Sequence, residues 1–245
     1  MRYSIVLSYA GAGFCGWQRQ PSDPSVQECL EEALGKLLGG EVPVIGAGRT
    51  DTDVNAIGYV ACFDGPEGLA ADDFCYTLNA ILPRSVVVSC VAPAREDFHP
   101  RFDAVRREYT YFLHRCKDPF VEAFSWQCGY PELSFEAMNS AAAALLGTHD
   151  FSCFEKKGGD NRTSVCTVFE AYWAQYTPSL YAVMTPEQGN LSAPLPPHTG
   201  PTQKTSAERL PVSGNAPSAK ANAPLRSLAG ESVPGHALFL SKVEY

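Results

Sequence analysis

"VPVIGAGRTDTDVNAIGYVACFD" spans residues 42–64 and reads as two strands joined by a loop, with no helix between them. Its two ends are rich in β-branched and aromatic residues, while glycines and short polar residues fill the middle. Working outward, "SVQECLEEALGKLLGG" (25–40) places Val26, Cys29, Leu30, Ala33, Leu34, Leu37 and Leu38 on one face at helical spacing. Ser25 and Glu28 form a capping-box pattern, and Gly39-Gly40 supplies the stop. "ADDFCYTLNAIL" (71–82) predicts a second helix ended by Pro83, and strands read at 2–10 and 85–92. The order is β-α-β-β-α-β, the split-βαβ or ferredoxin-like unit. It predicts an antiparallel sheet with both helices on one face and the other face free for a ligand.

The second half begins the same way. A strand reads at 104–116, a helix at 134–147, a long strand at 163–176 and a last strand at 237–245. Between them, residues 177–234 carry ten of the nineteen prolines, and no aromatic lies between Tyr181 and Phe239. Neither the helical nor the alternating period runs through this stretch, so its composition predicts irregular or disordered chain. The expected fold is therefore α+β, two ferredoxin-like halves around a shared antiparallel sheet. Residues 1–100 form the half with the loop. Residues 101–245 form an incomplete second half, with 177–234 standing in for a strand and a helix.

At 245 residues the chain can bury a sizeable core. Hydrophobic residues at 45% and charged residues at 19% place it among ordinary globular proteins. The start is too short in apolar residues for a signal peptide, and no run is long enough to span a membrane. Nine cysteines without a CxxC pair suit reduced, buried thiols in a cytoplasm. No Cys or His cluster has zinc-ligand spacing, so no metal is expected. A net charge of −8 argues against broad nucleic-acid binding, though not against a local basic cleft.

The loop raises the chemical question. An arginine beside an aspartate in a loop is commonly a surface pair of little energetic weight. Arg49 and Asp51 differ in context, because a buried strand follows and glycines at 46 and 48 permit close approach of a backbone or a flat ligand. An ionised aspartate held by an arginine stays available as a nucleophile or base.

"GAGRTDTDVNA" (46–56) resembles the G-[AC]-G-R-T-D-x-G-V-H-A signature of the tRNA pseudouridine synthase A family. "YAGAGFCGWQRQPSDPSVQECLEEAL" (9–34) is similar to that family's opening block. "NAILPRSV", "DFHPRFDAVRREYTYFL", "LLGTHDFSCF" and "GHALFLSKVEY" match later blocks in order. The resemblance covers residues 1 to about 176 and the closing strand.

The resemblance implies an isomerase that converts uridine to pseudouridine in the tRNA anticodon arm, at tRNA positions 38–40. It breaks the C1′–N1 bond and rejoins the base through C5. Asp51 takes the place of the family's catalytic aspartate, whose target is the sugar C1′, the base C6 or a sugar proton. A carboxylate in a dry pocket suits all three. No cofactor is implied, because uracil is both leaving group and acceptor. Arg49 would pair with Asp51 and fill the space of the flipped nucleotide. Tyr109 matches the active-site tyrosine that stacks on the target base; read from its strand alone, it is a core aromatic sharing a face with Tyr111. Gln18, Arg19, His99, Arg101, Arg106 and Arg107 are candidates for phosphate and sugar contacts. Lys156, Lys157 and Arg162 form a further basic stretch, and charge runs are often only solvated loops. The partners implied are tRNA and a second copy in a homodimer.

Three features depart from the family pattern. Asp53 stands where the signature has Gly, and Asn55 where it has His. If that glycine serves a positive φ, Asp is among the few residues that can follow it. Asn55 can hydrogen-bond but never carries charge. No N-R-F-L-R-N-M-V-R-like pattern occurs in 177–234. A catalytically impaired RNA-binding homologue is therefore the alternative, with a ferredoxin-like binding domain behind it.

Overall fold

The computed structural model describes residues 1–154, 163–176, 200–208 and 233–245. The first six elements are β1 (Arg2–Tyr9), α1 (Val26–Leu38), β2 (Val44–Gly46), β3 (Asn55–Asp64), α2 (Ala71–Ile81) and β4 (Val86–Pro93), in the order the sequence predicts. Along β1 the alternation is strict: Tyr3, Ile5, Leu7 and Tyr9 are buried and the residues between them half-buried. Leu30 and Leu34 of α1 and Leu78 of α2 join the same core cluster as those β1 side chains. Both helices therefore cover one face of the sheet. Each of these leucines contributes about 1.5–3 kcal/mol by leaving water. The Glu28 N–H donates to the Ser25 hydroxyl at 3.2 Å, and Gly39 ends α1 with φ 77°.

The remaining elements are β5 (Arg106–His114), β6 (Trp126–Gln127), α3 (Phe135–Ala143), β7 (Gly147–Asp150), β8 (Val165–Tyr176), β9 (Gly200–Glu208) and β10 (Leu238–Glu244). All strands belong to one sheet ordered β4-β1-β3-β10-β5-β9-β8-β7, with β2 attached to β3 and β6 to β5. The protein is α+β. Among the described residues, no helix is long and apolar enough to cross a membrane.

Two expectations change. The sheet is mixed rather than antiparallel throughout, because β10 runs parallel to β3 and β6 parallel to β5. Hydrophobic period reports which face a strand buries and is blind to its neighbour's direction. The second change is β9, which lies inside the stretch expected to be irregular. It pairs antiparallel with β5 on one side and β8 on the other. Backbone ladders need no apolar alternation, so "GPTQKTSAE" forms a strand that its composition does not announce. The rest of that expectation, over 177–199 and 209–232, lies outside the described residues.

The parallel seam positions the site. One flank of β3 carries β1, and the other is shared by two strands. β2 pairs with it from Ala61 to Phe63, and β10 meets it at Asn55 and Ala56. Between them, a Cβ on Gly58 would sit 3.1 Å from the Ser241 carbonyl oxygen, so a glycine lets β10 approach. The chain from β2 to β3 must swing clear of that flank for β10 to enter. Its excursion is the loop 47–54.

Candidate active site and nucleic-acid interface

Three buried aromatics underlie the loop. Trp17 and Tyr59 stack with ring centroids 4.1 Å apart, and Tyr9 lies 5.6 Å from Tyr59. A Cβ on Gly46 would run into the Tyr59 hydroxyl and the Trp17 ring, which is why glycine ends β2. Burial pushes the Tyr9 and Tyr59 phenols well above their usual pKa, so both remain neutral hydroxyls that can donate. Tyr59 donates to the Gly48 carbonyl and accepts from the Gly48 N–H at 3.3 Å. Tyr9 and the Thr50 hydroxyl share a hydrogen bond of 2.9 Å.

The loop's backbone is pinned from the opposite wall by the β1–α1 connection. Trp17 N–H donates to the Thr50 carbonyl at 3.1 Å, and Asp53 N–H reaches the Phe14 carbonyl at 3.4 Å. Val54 N–H closes a turn onto the Asp51 carbonyl at 3.2 Å. Gly16, at φ 91°, presses against the Thr50 carbonyl, and any Cβ there would collide with it. Among the described residues, Asp53 is the one non-glycine residue with positive φ, 63°. The conformation that a glycine would take freely is thus held here by aspartate, one of the few side chains that tolerates it.

Asn55 closes the arrangement. It is 2% exposed; its carbonyl oxygen accepts from Gly11 N–H at 2.9 Å and its amide donates to the His236 carbonyl at 2.7 Å. One carboxamide ties the glycine-rich connection, the end of the loop and the entry to β10. The His236 ring Nε2 in turn lies 3.2 Å from the Ser125 carbonyl oxygen.

On this fixed backbone the Arg49 and Asp51 side chains are solvent-exposed. Among the described residues, none encloses Asp51 in the dry pocket expected around it. Tyr109, on β5, is half-buried against the same core as Tyr9 and Tyr59, close enough to raise the pKa of both phenols. It pairs with Leu240 of β10, so the seam brings the second half's tyrosine to the first half's core.

The other predicted residues divide. The Arg107 guanidinium donates through one nitrogen to the Ala47 carbonyl at 2.8 Å and the Arg101 carbonyl at 2.9 Å. It thereby fastens the 98–103 turn beside the loop. His99 caps that turn, its Nδ1 accepting from the Arg101 and Phe102 N–H groups at 3.2 and 3.4 Å. Arg101 lies 5.9 Å from the Phe102 ring centroid. Arg106, one residue from Arg107, projects to the opposite face of β5 and lies 4.5 Å over Phe169, away from the loop. Gln18 and Arg19 dock on α1: Gln18 donates to Gln27 at 2.9 Å, and Arg19 pairs with Glu31 at 3.0 Å and Glu28 at 3.5 Å. Lys156, Lys157 and Arg162 lie outside the described residues. Sequence reasoning passed over Tyr9, Thr50 and Tyr59, although the alternation of β1 already places Tyr9 on its buried face and Tyr59 lies in a nearly continuous apolar run. Asn55 carried its signal as a departure from the signature.

A family model described as tRNA pseudouridine synthase matches residues 5–103 and 141–245. The tRNA pseudouridine synthase A of Porphyromonas gingivalis is 37% identical over 255 residues, covering 100% of this chain and 97% of its own. Those of Bacteroides fragilis (36% over 245 residues) and Parabacteroides distasonis (37% over 247) likewise cover this whole chain and 96% of their own. The similarity thus runs through the proline-rich stretch as well as its flanks.

Proposed function

The chain belongs to the tRNA pseudouridine synthase family, and from that premise we propose that it isomerises uridine in the anticodon arm of tRNA with Asp51 as its catalytic residue. The observation that carries this reading is the seam. Asp51 sits on a loop whose backbone is held by the Phe14, Trp17 and Tyr59 contacts, and Tyr109 of the other half packs against the core that contains Trp17 and Tyr59. Fixing a carboxylate's backbone before substrate arrives is what positioning catalysis requires.

In the reaction, the target nucleotide leaves the helical stack and Arg49 takes its place. Asp51 attacks the base or sugar, or removes a sugar proton, while the C1′–N1 bond breaks. The uracil turns and C1′–C5 forms, any bond to the Asp51 oxygen breaks again to free the carboxylate, the C5 proton is lost and N1 takes up a proton. Tyr109 stacks on the base. Exposure of Asp51 in the free chain means that bound RNA supplies the desolvation that strengthens these electrostatics.

The reading extends to two ferredoxin-like halves, 1–100 and 101–245, supported in the first by the β4-β1-β3-β2 neighbour order. It extends also to a homodimer that offers RNA a second surface, tested by sedimentation. A reducing cytoplasmic setting suits nine cysteines that are all free. The test is tritium release from an anticodon-arm transcript labelled with [5-³H]uridine, with the product located by carbodiimide mapping. Release at anticodon-arm uridines supports the reading, and release elsewhere or none contradicts it.

A further inference from the structure

Phe102 is 74% exposed. A lone exposed phenylalanine is ordinary and signifies nothing by itself. This one sits on a turn whose backbone is fixed on every side. Phe102 N–H donates to the His99 carbonyl at 3.1 Å and Asp103 N–H to the same oxygen at 3.0 Å. The Asp103 carboxylate accepts from His99 N–H at 3.1 Å and from Arg95 at 3.2 Å. The His99 imidazole lies against the ring, with centroids 4.2 Å apart and planes at 33°. The ring is thus backed by one flat group and flanked by the Arg101 guanidinium, while most of its surface meets water.

The location gives this arrangement meaning. A single nitrogen of Arg107 bonds both the Arg101 carbonyl, next to Phe102, and the Ala47 carbonyl, two residues before Arg49. Arg107 therefore ties the turn directly to the catalytic loop. An exposed aromatic ring with a guanidinium 5.9 Å from its centroid suits an unpaired nucleobase with its phosphate beside it. We propose that Phe102, backed by His99 and flanked by Arg101, is a stacking platform for an unpaired base of the RNA that flanks the target uridine. This proposal rests on the tRNA reading above.

The test uses Phe102→Ala, Phe102→Leu and Phe102→Trp in the full chain, with tritium release from labelled tRNA, thermal unfolding and sedimentation measured for each. Wild-type release comes first, and its absence would fail the tRNA reading and not the platform alone. Given that release, Phe102→Ala and Phe102→Leu raise KM for tRNA by about tenfold or more, the effect of losing one stacked base. Phe102→Trp restores the wild-type value, and all three unfold at the wild-type temperature. A Leu variant that behaves as wild type would overturn the proposal, since leucine has bulk but no π-face. An unchanged Ala variant would overturn it too. A variant that loses a dimer seen in the wild type would assign the ring to a second copy of the chain instead.

Discussion

The Asn55 side-chain amide donates to the His236 carbonyl 2.7 Å away, across 181 residues of chain. The same side chain accepts from Gly11 N–H, so it needs one acceptor and one donor and uses both. Asn55→Asp would aim a carboxylate oxygen at a carbonyl oxygen in a buried site. A loss of about 1–3 kcal/mol of stability is expected, read by urea unfolding, together with loss of tritium release. Asn55→His supplies the same acceptor and donor while neutral. Its protonated ring would turn an N–H toward the Gly11 N–H; burial and that clash push its pKa below the ordinary imidazole value, so activity should fall at acid pH where the wild type holds. An Asn55→His variant with the wild-type pH profile would contradict this account of the brace.

Asp53 holds a left-handed backbone that glycine adopts without cost. Asp53→Gly should therefore leave stability within about 1 kcal/mol of wild type and keep activity. Asp53→Val should lose about 1–2 kcal/mol, because a β-branched side chain clashes in this conformation. Denaturant midpoints compare the two directly.

Gly13 and Gly16 share a positive φ but not a neighbourhood. A Cβ at Gly13 meets nothing within 4 Å, whereas one at Gly16 collides with the Thr50 carbonyl. Gly13→Ala should cost about 1 kcal/mol and spare turnover. Gly16→Ala should displace the loop and lower kcat for tRNA by an order of magnitude or more, since small misplacements near the chemistry are costly. Equal effects of the two on kcat would refute the pinned-loop description.

Arg2 binds Asp64 through two bonds of 3.1 Å, and this pairing holds the Asp64 carboxyl below its usual 3.8. A depressed folded-state pKa gives stability that is present above the unfolded value and lost as pH falls through the lower folded one. The Asp64 side chain is 65% exposed, so Asp64→Asn should cost no more than about 1 kcal/mol at pH 7. The difference should shrink below about pH 4 and in high salt. Thermal unfolding of both proteins across pH 2–7 checks the direction.

The first half was legible because each element carried its own local signal. Strict alternation marked β1, and Ser25, Glu28 and Gly39 bounded α1. The second half was less so. β7 reads Gly-Thr-His-Asp with all four residues exposed, and β9 reads GPTQKTSAE, so neither sequence shows the apolar alternation that announces a strand. The parallel seam of β3 with β10 joins residues far apart in sequence, which no local period encodes. For the site, Arg49, Asp51 and Tyr109 are proposed on resemblance alone. The roles of Asn55 and Arg107 were not legible, since their partners lie 44, 181 and 60 residues away along the chain.

The central claim is that the Asp51 carboxylate performs the chemistry on a loop whose shape does not depend on it. Asp51→Asn keeps the size and exposure of the side chain and removes its charge. Tritium release from [5-³H]uridine tRNA should fall to background in this variant, while tRNA binding and thermal unfolding match the wild type. Release at the wild-type rate by Asp51→Asn would contradict the account.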